Sequence, residues 1–247
     1  MAPVKSLGLV HPAEVYLDTP GVADNRAFYL VDENGRLFDG SRFGPLVRIR
    51  ASFDPETNVL GLTFPDGEVA EATAVPDGET VVTSFWGRPV AGREVRGPWT
   101  EAISRFADRP LRMMRPDRPG DASDSWPASL VSTGSLAELA RHAGVDGSVD
   151  ARRFRMLIEV DGCGPHEEDT WIGRAVRVGD AVIHVREPDS RCVVTTRDPK
   201  TGVRDLDTLG VISGYRGRRN GKKIDFGVYA DVERPGTIRV GDTVELR

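Results

Sequence analysis

Glycine and proline interrupt this chain so often that turns, rather than long helices, must dominate its structure. Its 247 residues include 27 glycines and 17 prolines, the residues that most strongly favour turns and interrupt helices. Between them lie short runs of alternating apolar and polar residues, the pattern of half-buried strands. The sequence therefore predicts a mostly β protein with few short helices and a length sufficient for a sizeable core.

The first half contains several strand and turn signals. Asp32-Glu-Asn-Gly35 lies between the apolar runs 28–31 and 37–38, and we expect Asn34 and Gly35 to supply positive φ values in a hairpin loop. Further strands are predicted at 46–50 and 80–86, with turns at 63–67 and 75–78. These signals indicate a small β-barrel or sandwich.

The second half begins after a segment rich in Pro, Asp, Arg, Gly and Ser, at 108–128, which we interpret as a connector. Ser135-Leu-Ala-Glu138 has the pattern of a capping box, and Gly144 follows where a helix would end. Strand signals resume afterwards, at 154–160, 175–178, 181–185, 193–196, 226–232 and 237–246. This half is also predicted to be rich in β-structure.

Composition excludes several classes of protein. The net charge of −5 argues against a general nucleic-acid surface. No window approaches the roughly 20 apolar residues that span a bilayer, and no signal peptide is seen, so we expect a cytoplasmic protein without membrane attachment. Cys163 and Cys192 are the only cysteines. Two thiols are too few for a disulfide scaffold, and neither has a neighbour at zinc-finger spacing.

Cys192 has the local context most suited to chemistry. It follows Ser190-Arg191 at a predicted junction between a loop and a strand, and a neighbouring guanidinium stabilises the thiolate, the form that binds metals or acts as a nucleophile. The alternative is a small buried apolar residue, the role of most free cysteines. Cys163, in the turn Asp161-Gly-Cys-Gly164, is more typical of packing or of an exposed thiol without a role.

The second half resembles the MOSC domain, the molybdenum-cofactor sulfurase C-terminal type. The resemblance is carried by an ordered series that includes Arg153-Phe-Arg155, Glu167-Glu-Asp-Thr-Trp171, Ser190-Arg-Cys-Val-Val-Thr-Thr196, Phe226-Gly-Val-Tyr229 and Gly236-Thr-Ile-Arg-Val-Gly-Asp242. The first half is similar to the N-terminal β-barrel domain found with MOSC in the mitochondrial amidoxime-reducing component and its bacterial relatives. Here the matching residues are Val4-Lys-Ser6, Asp24-Asn-Arg26-Ala-Phe28, Leu30-Val-Asp32 and Ser41-Arg42.

This resemblance implies a domain organisation. It places an N-terminal MOSC-associated β-barrel domain at 1–107, a connector at 108–128 and a MOSC β-barrel domain at 129–247.

The resemblance also implies site residues for a molybdenum cofactor, Mo-molybdopterin. Cys192 would ligate the metal through its thiolate, and Ser190 would line the same site. The other implied cofactor residues are Lys5, Ser6, Arg26, Arg155 and Tyr229. Lysine and arginine suit a terminal phosphate because they combine a point charge with forked donors. The alternative for Lys5 and Arg26 is a solvated side chain, and for Tyr229 a place in the core. No pyridoxal phosphate is expected.

The chain departs from the family pattern at two places. Met156-Leu157 stand where Pro-Asn is common, which removes one polar cofactor contact, and Asn25 replaces the aspartate of an Asp-Arg pair. No ferredoxin-type cysteine cluster follows the MOSC-like part. Electrons would therefore come from a separate ferredoxin- or cytochrome-type protein with its reductase.

Three other features are weaker candidates. Glu167-Glu-Asp169 has the composition of an acid/base cluster, although a solvated loop or a helix start is the commoner meaning. His166 and His184 lack metal-ligand spacing. Tyr215-Arg-Gly-Arg-Arg-Asn-Gly-Lys-Lys223 is a basic, glycine-interrupted loop. It suits an acidic electron-transfer partner or an anionic substrate, with a mobile solvated loop as the alternative.

The sequence therefore supports three functional hypotheses. The first is a molybdenum-dependent oxidoreductase that reduces small N-hydroxylated or N-oxygenated substrates, with Cys192 as the metal ligand. The second is a persulfide carrier or transferase that uses the same thiol. The third is a cofactor-binding carrier without turnover.

Overall fold

A computed structural model describes residues 1–247 and confirms the mostly β class. Strands hold 39% of the chain and helices 19%, and the sheet is curled into a half-barrel. The α-helices are α1 (Pro98–Ala107), α2 (Thr133–Ala143) and α3 (Thr208–Arg216). None of them is long and apolar enough to cross a membrane.

The strands are short, as the turn-rich sequence requires. They are β1 (Glu14–Leu17), β2 (Tyr29–Asp32), β3 (Leu37–Phe38), β4 (Arg50–Asp54), β5 (Val59–Thr63), β6 (Val69–Thr73), β7 (Pro76–Phe85), β8 (Arg88–Val95), β9 (Leu111–Pro116), β10 (Ala128–Ser132), β11 (Ile158–Val160), β12 (Ala175–Val178), β13 (Ala181–Ser190), β14 (Asp225–Arg234), β15 (Gly236–Arg239) and β16 (Val244–Leu246).

The first of two compact units comprises Met1–Val10, Ala23–Asp124 and Lys200–Gly202. It holds a five-stranded sheet in the order β3-β2-β9-β8-β7 and a three-stranded sheet in the order β4-β5-β6. The main core contains Phe28, Phe38 and Trp99, with α1 contributing Trp99 and Ile103. Strand β9 lies within the segment interpreted as a connector, and the domain bounds at 107 and 129 stay a prediction.

The second unit comprises His11–Val22, Ser125–Pro199 and Val203–Arg247. Its six-stranded sheet has the order β11-β10-β14-β13-β12-β16, and β1 pairs with β15. The longest pairing joins β13 and β14, whose antiparallel register runs from Val182 opposite Arg234 to Ser190 opposite Asp225, with three irregularities. This strand pair carries the segment that precedes Cys192.

The hairpin predicted at residues 32–35 is present between β2 and β3. Gly35 has φ 71°, but Asn34 does not adopt a positive φ. The turn is instead ordered by the Asp32 carboxylate, which accepts from the backbone N–H groups of Asn34 and Arg36, both at 3.0 Å. One aspartate therefore replaces the second left-handed residue that we expected.

Two predicted strands are 3-10 turns. Residues 46–50 fall mostly in Gly44–Arg48, where Pro45 occupies the first turn, a position that suits its fixed φ. Residues 193–196 form Val193–Thr196. In that turn the Thr195 and Thr196 hydroxyls donate to carbonyl oxygens three residues earlier, at 3.1 and 2.8 Å. Such local bonds compete with strand pairing.

Three other boundaries differ from expectation. The predicted turn at 75–78 lies inside β7, where Gly78 (φ 76°) sits at an irregularity in the pairing with β8. Within 154–160 only β11 is extended. The predicted strand 237–246 is divided between β15 and β16 by a turn in which Arg239 and Asp242 bond.

Helix α2 begins earlier than the predicted capping box. Its cap is Ser132, whose hydroxyl accepts from the Ser135 N–H at 3.0 Å. The Ser135 hydroxyl instead donates to the buried Glu168 carboxylate at 2.7 Å, and the Ser132 hydroxyl donates to the same carboxylate at 2.8 Å. The helix ends at Gly144 (φ 67°), as predicted.

Replacing Ser132 by alanine should lower the free energy of unfolding by about 2 kcal/mol, because the helix loses its cap and buried Glu168 loses a donor. Urea unfolding would show this as a lower midpoint at unchanged slope. Ser148→Ala is the control, since the Ser148 hydroxyl bonds the adjacent Val149 carbonyl (3.3 Å). Its effect should stay below about 0.5 kcal/mol. Equal effects would contradict the capping assignment.

Candidate functional site

The Cys192 thiol lies on an ordered backbone between a strand and a turn. Strand β13 ends at Ser190, and Cys192, in extended conformation (φ −121°, ψ 178°), caps the 3-10 turn Val193–Thr196. Its carbonyl oxygen accepts from the N–H and hydroxyl of Thr195, at 3.2 and 3.1 Å. The residue is exposed. The burial that makes most free cysteines inert therefore does not apply to this thiol.

Residues 190–192 alternate between the solvent and the interior. Ser190 and Cys192 are exposed, whereas the Arg191 side chain between them is only 10% exposed. Successive side chains of an extended segment point to opposite faces, so Ser190 and Cys192 share the outer face. Arg191 itself bonds the buried Asp189 carboxylate and the Phe154 carbonyl. The cation that we expected to favour the thiolate is thus shared with a buried carboxylate.

Ser190 is held by two residues that the sequence did not mark as part of the site. Its hydroxyl donates to Asp225 Oδ1 at 2.6 Å and accepts from Arg219 Nη2 at 3.1 Å. Arg219 Nε donates to Asp225 Oδ2, also at 2.6 Å. Because the one hydroxyl hydrogen is engaged, Ser190 can act towards a ligand only as an acceptor. The signal that brings these residues together is the β13–β14 register.

Arg155 and Tyr229 complete the predicted residues of the second unit. Arg155 follows the 3-10 turn Ala151–Arg153 and is half-buried, with a left-handed backbone (φ 55°). Tyr229 is half-buried on β14, opposite Glu187 of β13 and Ser129 of β10. It lies on the same strand pair as Ser190 and Asp225. The roles of Arg155 and Tyr229 towards a cofactor stay predictions.

The first unit brings Lys5 and Arg26 together through Asp124. Lys5 Nζ contacts Asp124 Oδ1 at 2.7 Å, and Arg26 Nη1 contacts Asp124 Oδ2 at 2.6 Å. Two cations share one carboxylate, and the nearby Asp39 carboxylate also acts on Lys5. The alternative of solvated side chains does not hold, since the Lys5 and Arg26 side chains are only 7% and 16% exposed. Asp124 comes from the segment interpreted as a connector.

Burial makes Lys5 an unusual lysine. Its Nζ also donates to the Ala122 carbonyl at 3.1 Å and lies 5.1 Å from the centre of the Trp86 ring. Removal from water lowers the pKa of Lys5 to about 8, with nearby Arg26 acting in the same direction and Asp124 opposing it. A lysine held in this way can release its proton near neutral pH.

Three predicted cofactor residues have left-handed backbones. Ser6 (φ 74°), Arg26 (φ 57°) and Arg155 (φ 55°) are among eight non-glycine residues with positive φ. This conformation is unfavourable for residues with a side chain, and such strain concentrates at binding and catalytic sites. It supports a functional reading of these three residues independently of their charge.

Each unit taken by itself holds donors of a kind that suits part of a molybdenum cofactor. The second unit has one exposed soft sulfur ligand, Cys192. The first unit has Lys5 and Arg26, whose cationic donors suit a phosphate. No group of three or more His, Cys, Asp or Glu residues could hold a metal ion alone. Met156, the first of the two residues that stand in place of Pro-Asn, is partly buried against the core of the second unit, and its sulfur accepts from Arg191 at 3.5 Å.

The acidic segment Glu167-Glu-Asp169 is a helix start. It begins the 3-10 helix Glu167–Trp171, and Glu168 is 1% exposed. His166, before it, contacts the Tyr215 hydroxyl through Nε2 at 3.1 Å and the Arg216 guanidinium through Nδ1. Burial and Arg216 lower the pKa of His166. These contacts join the 3-10 helix to α3, and the His166 N–H donates to the Ser135 hydroxyl of α2 at 2.8 Å.

Comparison with known proteins gives one family and several relatives. The MOSC domain model matches residues 117–245. The human protein named mitochondrial amidoxime-reducing component 1 is 27% identical, over 99% of this chain and 80% of its own length. Mitochondrial amidoxime reducing component 2 of Rattus norvegicus is 36% identical over 49% of this chain and 37% of its own length.

Two further comparisons extend over almost the whole chain. The molybdenum cofactor sulfurase of Caenorhabditis briggsae is 27% identical over 98% of this chain but only 34% of its own length. Among solved structures, the YUAD protein of Bacillus subtilis aligns with all of this chain and 91% of its own, with 14% identity and a TM-score of 0.45.

The unfolding free energy should rise with pH between about 8 and 10.5 through Lys5. Its pKa falls from 10.5 to about 8 on folding, so below pH 8 both states hold the proton and the cost of burying the charge is fully present. Above pH 8 only the unfolded state keeps the proton, which favours folding as pH rises. The difference between the native protein and Lys5→Met should grow by about 3 kcal/mol at most. A flat difference, like that expected for exposed Lys222→Met, would contradict this.

The two thiols should differ in reactivity. Iodoacetamide at pH 7.5 should modify Cys192 roughly tenfold faster than Cys163, because Cys192 is exposed whereas burial raises the pKa of the Cys163 thiol. Mass spectrometry of timed samples, with Cys163→Ala and Cys192→Ala as single-thiol controls, measures both rates. Faster modification of Cys163 would show that the Cys192 thiol is not accessible.

Proposed function

Since the chain belongs to the MOSC domain family, we propose that it is a molybdenum-dependent oxidoreductase that reduces N-hydroxylated or N-oxygenated small molecules, with the Cys192 thiolate as metal ligand. The observation that carries the proposal is the exposed thiol on an ordered backbone within the matched residues. The human and rat relatives described above are both named amidoxime-reducing components, which supports the choice of substrate class.

The reaction is balanced by two electrons and two protons. In an N-hydroxylated substrate the N–O bond breaks, the nitrogen gains one hydrogen, and the oxygen leaves as water. In an N-oxide the nitrogen gains no hydrogen, and both protons leave with the oxygen as water. When bound, the molybdenum cofactor supplies the two-electron centre for this step. A separate ferredoxin- or cytochrome-type protein, with its reductase, would supply the electrons.

The chain's own residues would hold the cofactor and orient it. Cys192 would supply the sulfur ligand, fixed through the two bonds from Thr195 to its carbonyl oxygen. Lys5 and Arg26 would bind the pterin phosphate, since together they exceed the charge of Asp124. The remaining proposed contacts are Ser6, Arg155, Ser190 and Tyr229. Ser190 would accept from a donor on the cofactor or substrate, because its own hydrogen is held by Asp225.

Persulfide transfer by Cys192 is the second candidate function. One relative is named molybdenum cofactor sulfurase, and an exposed thiol suits a sulfur carrier as well as a metal ligand. A carrier of the cofactor without turnover would use the same residues as the oxidoreductase. Reduction of an N-hydroxylated substrate distinguishes the enzyme from the cofactor carrier, which would have no turnover. A labile extra sulfur atom on Cys192 identifies the persulfide carrier.

Cys192→Ala should abolish reduction of an aromatic amidoxime and lower the bound molybdenum at least tenfold, because the protein loses its sulfur ligand. Protein made in a host that synthesises the cofactor would be assayed for molybdenum, pterin and turnover. Cys163→Ala is the matched control and should keep all three. Molybdenum absent from every native preparation, with mass spectrometry showing a labile extra sulfur on Cys192, would favour the persulfide function instead.

A further inference from the structure

Residues 216–223, Arg216-Gly-Arg-Arg-Asn-Gly-Lys-Lys223, form what we call the basic turn, between α3 and β14. It contains five cationic side chains and no acidic one. The whole chain carries −5, so the residues outside this turn carry −10. A concentration of positive charge on an otherwise acidic protein is a local feature that needs its own explanation.

Two of the five cations anchor the turn. Arg216 pairs with Asp169 at 2.5 Å, and Arg219 pairs with Asp225 at 2.6 Å. The backbone closes between Arg219 and Lys223, whose N–H and carbonyl groups exchange bonds of 2.8 and 3.0 Å. These contacts give the segment a defined turn, anchored at Arg216 and Arg219.

The other three cations are exposed and have no carboxylate partner. Arg218 bonds the Ser213 hydroxyl at 2.9 Å, and no salt bridge involves Arg218, Lys222 or Lys223. Like charges held close together repel one another and weaken the fold. An anchored turn that presents three such charges is therefore suited to a partner with negative charge.

The two anchoring arginines also place the basic turn beside residues 190–192, which we call the thiol segment. Arg219, which holds the turn to Asp225, donates to the Ser190 hydroxyl. Ser190 precedes Cys192 by two residues on the same outer face, a separation of about 7 Å along an extended segment. In addition, the Arg191 N–H donates to the carbonyl of Ile224, the residue after the turn, at 2.7 Å. A partner bound to the turn would lie next to the site at Cys192.

We propose that the basic turn is the docking surface for an acidic protein that delivers electrons to the Cys192 site. This inference rests on the proposed oxidoreductase function and specifies that the electron-donor protein has an acidic surface. A one-electron carrier would dock twice in each turnover, to supply the two electrons that the N–O cleavage consumes. Arg218, Lys222 and Lys223 are long and exposed, and exposed charges of one sign favour a protein surface because they steer association over distance.

The test compares two charge-reversal variants of the cofactor-loaded full chain. Arg218→Glu/Lys222→Glu/Lys223→Glu changes the basic turn. Arg36→Glu/Arg48→Glu/Arg50→Glu makes the same change in charge at three exposed arginines of the first unit that form no salt bridge. Each variant would reduce a neutral aromatic amidoxime with two donors, an acidic [2Fe–2S] ferredoxin with its NADPH-dependent reductase and reduced methyl viologen, a small cation.

The proposal expects at least a tenfold loss of ferredoxin-driven kcat/KM at low salt in the basic-turn variant only. Methyl viologen turnover should change less than twofold in both variants. Equal losses with the two donors, or in the two variants, would overturn the proposal. A second substrate, an amidoxime that bears a carboxylate, would be assayed with methyl viologen as donor. If the basic-turn variant lost turnover only of this anionic substrate, the turn would be assigned to substrate binding and the proposal would be overturned.

A binding measurement separates this inference from the proposed function. If no donor supports turnover, the oxidoreductase function fails, and calorimetric titration of the ferredoxin into each variant still tests the surface. Salt-sensitive binding that only the basic-turn variant loses supports an acidic protein partner. If the ferredoxin does not bind, or binds both variants equally, the docking surface proposed here is overturned.

Discussion

The pairing of β13 with β14 is the constraint on which the second unit's candidate site depends. It sets Ser190 opposite Asp225, and the resulting bond uses the only hydrogen of the serine hydroxyl. Arg219, which belongs to the basic turn, donates to both Asp225 and Ser190. A shift of one residue in this register would turn each side chain to the opposite face of the sheet. The thiol segment and the basic turn therefore keep their neighbourhood only in the observed register.

Charge burial imposes a comparable constraint in the first unit. An isolated lysine with 7% of its side chain exposed would be strongly destabilising. Asp124 offsets part of this cost while it also pairs with Arg26, and nearby Asp39 adds a smaller contribution. The low pKa of Lys5 reflects the same incomplete compensation. Under the proposed function, a bound phosphate would add negative charge beside these two closely placed cations, of which Arg26 also has a left-handed backbone.

The sequence predicted the β class and most strands because alternation of apolar residues is a local signal. It placed the helix cap at Ser135 because Glu138 completes a capping box, whereas the structure uses Ser132, whose second partner, Glu168, is distant in sequence. Residues 193–196 have strand composition, but threonine hydroxyls satisfy the backbone locally. Asp124, Asp225 and Arg219 were not predicted as site residues, since only the folded registers bring them to Lys5 and Ser190.

The fixed position of the thiol has a consequence common to both candidate functions. The Cys192 carbonyl is bonded to Thr195, and the N–H of the preceding Arg191 is bonded to Ile224. A segment whose backbone is bonded on both sides of the thiol favours a mechanism in which the molecule that exchanges electrons or sulfur with Cys192 approaches the protein surface. The ordered cations of the neighbouring turn favour an approaching surface that is acidic. Metal ligation gains from such rigidity, because a preorganised ligand loses less conformational freedom on binding.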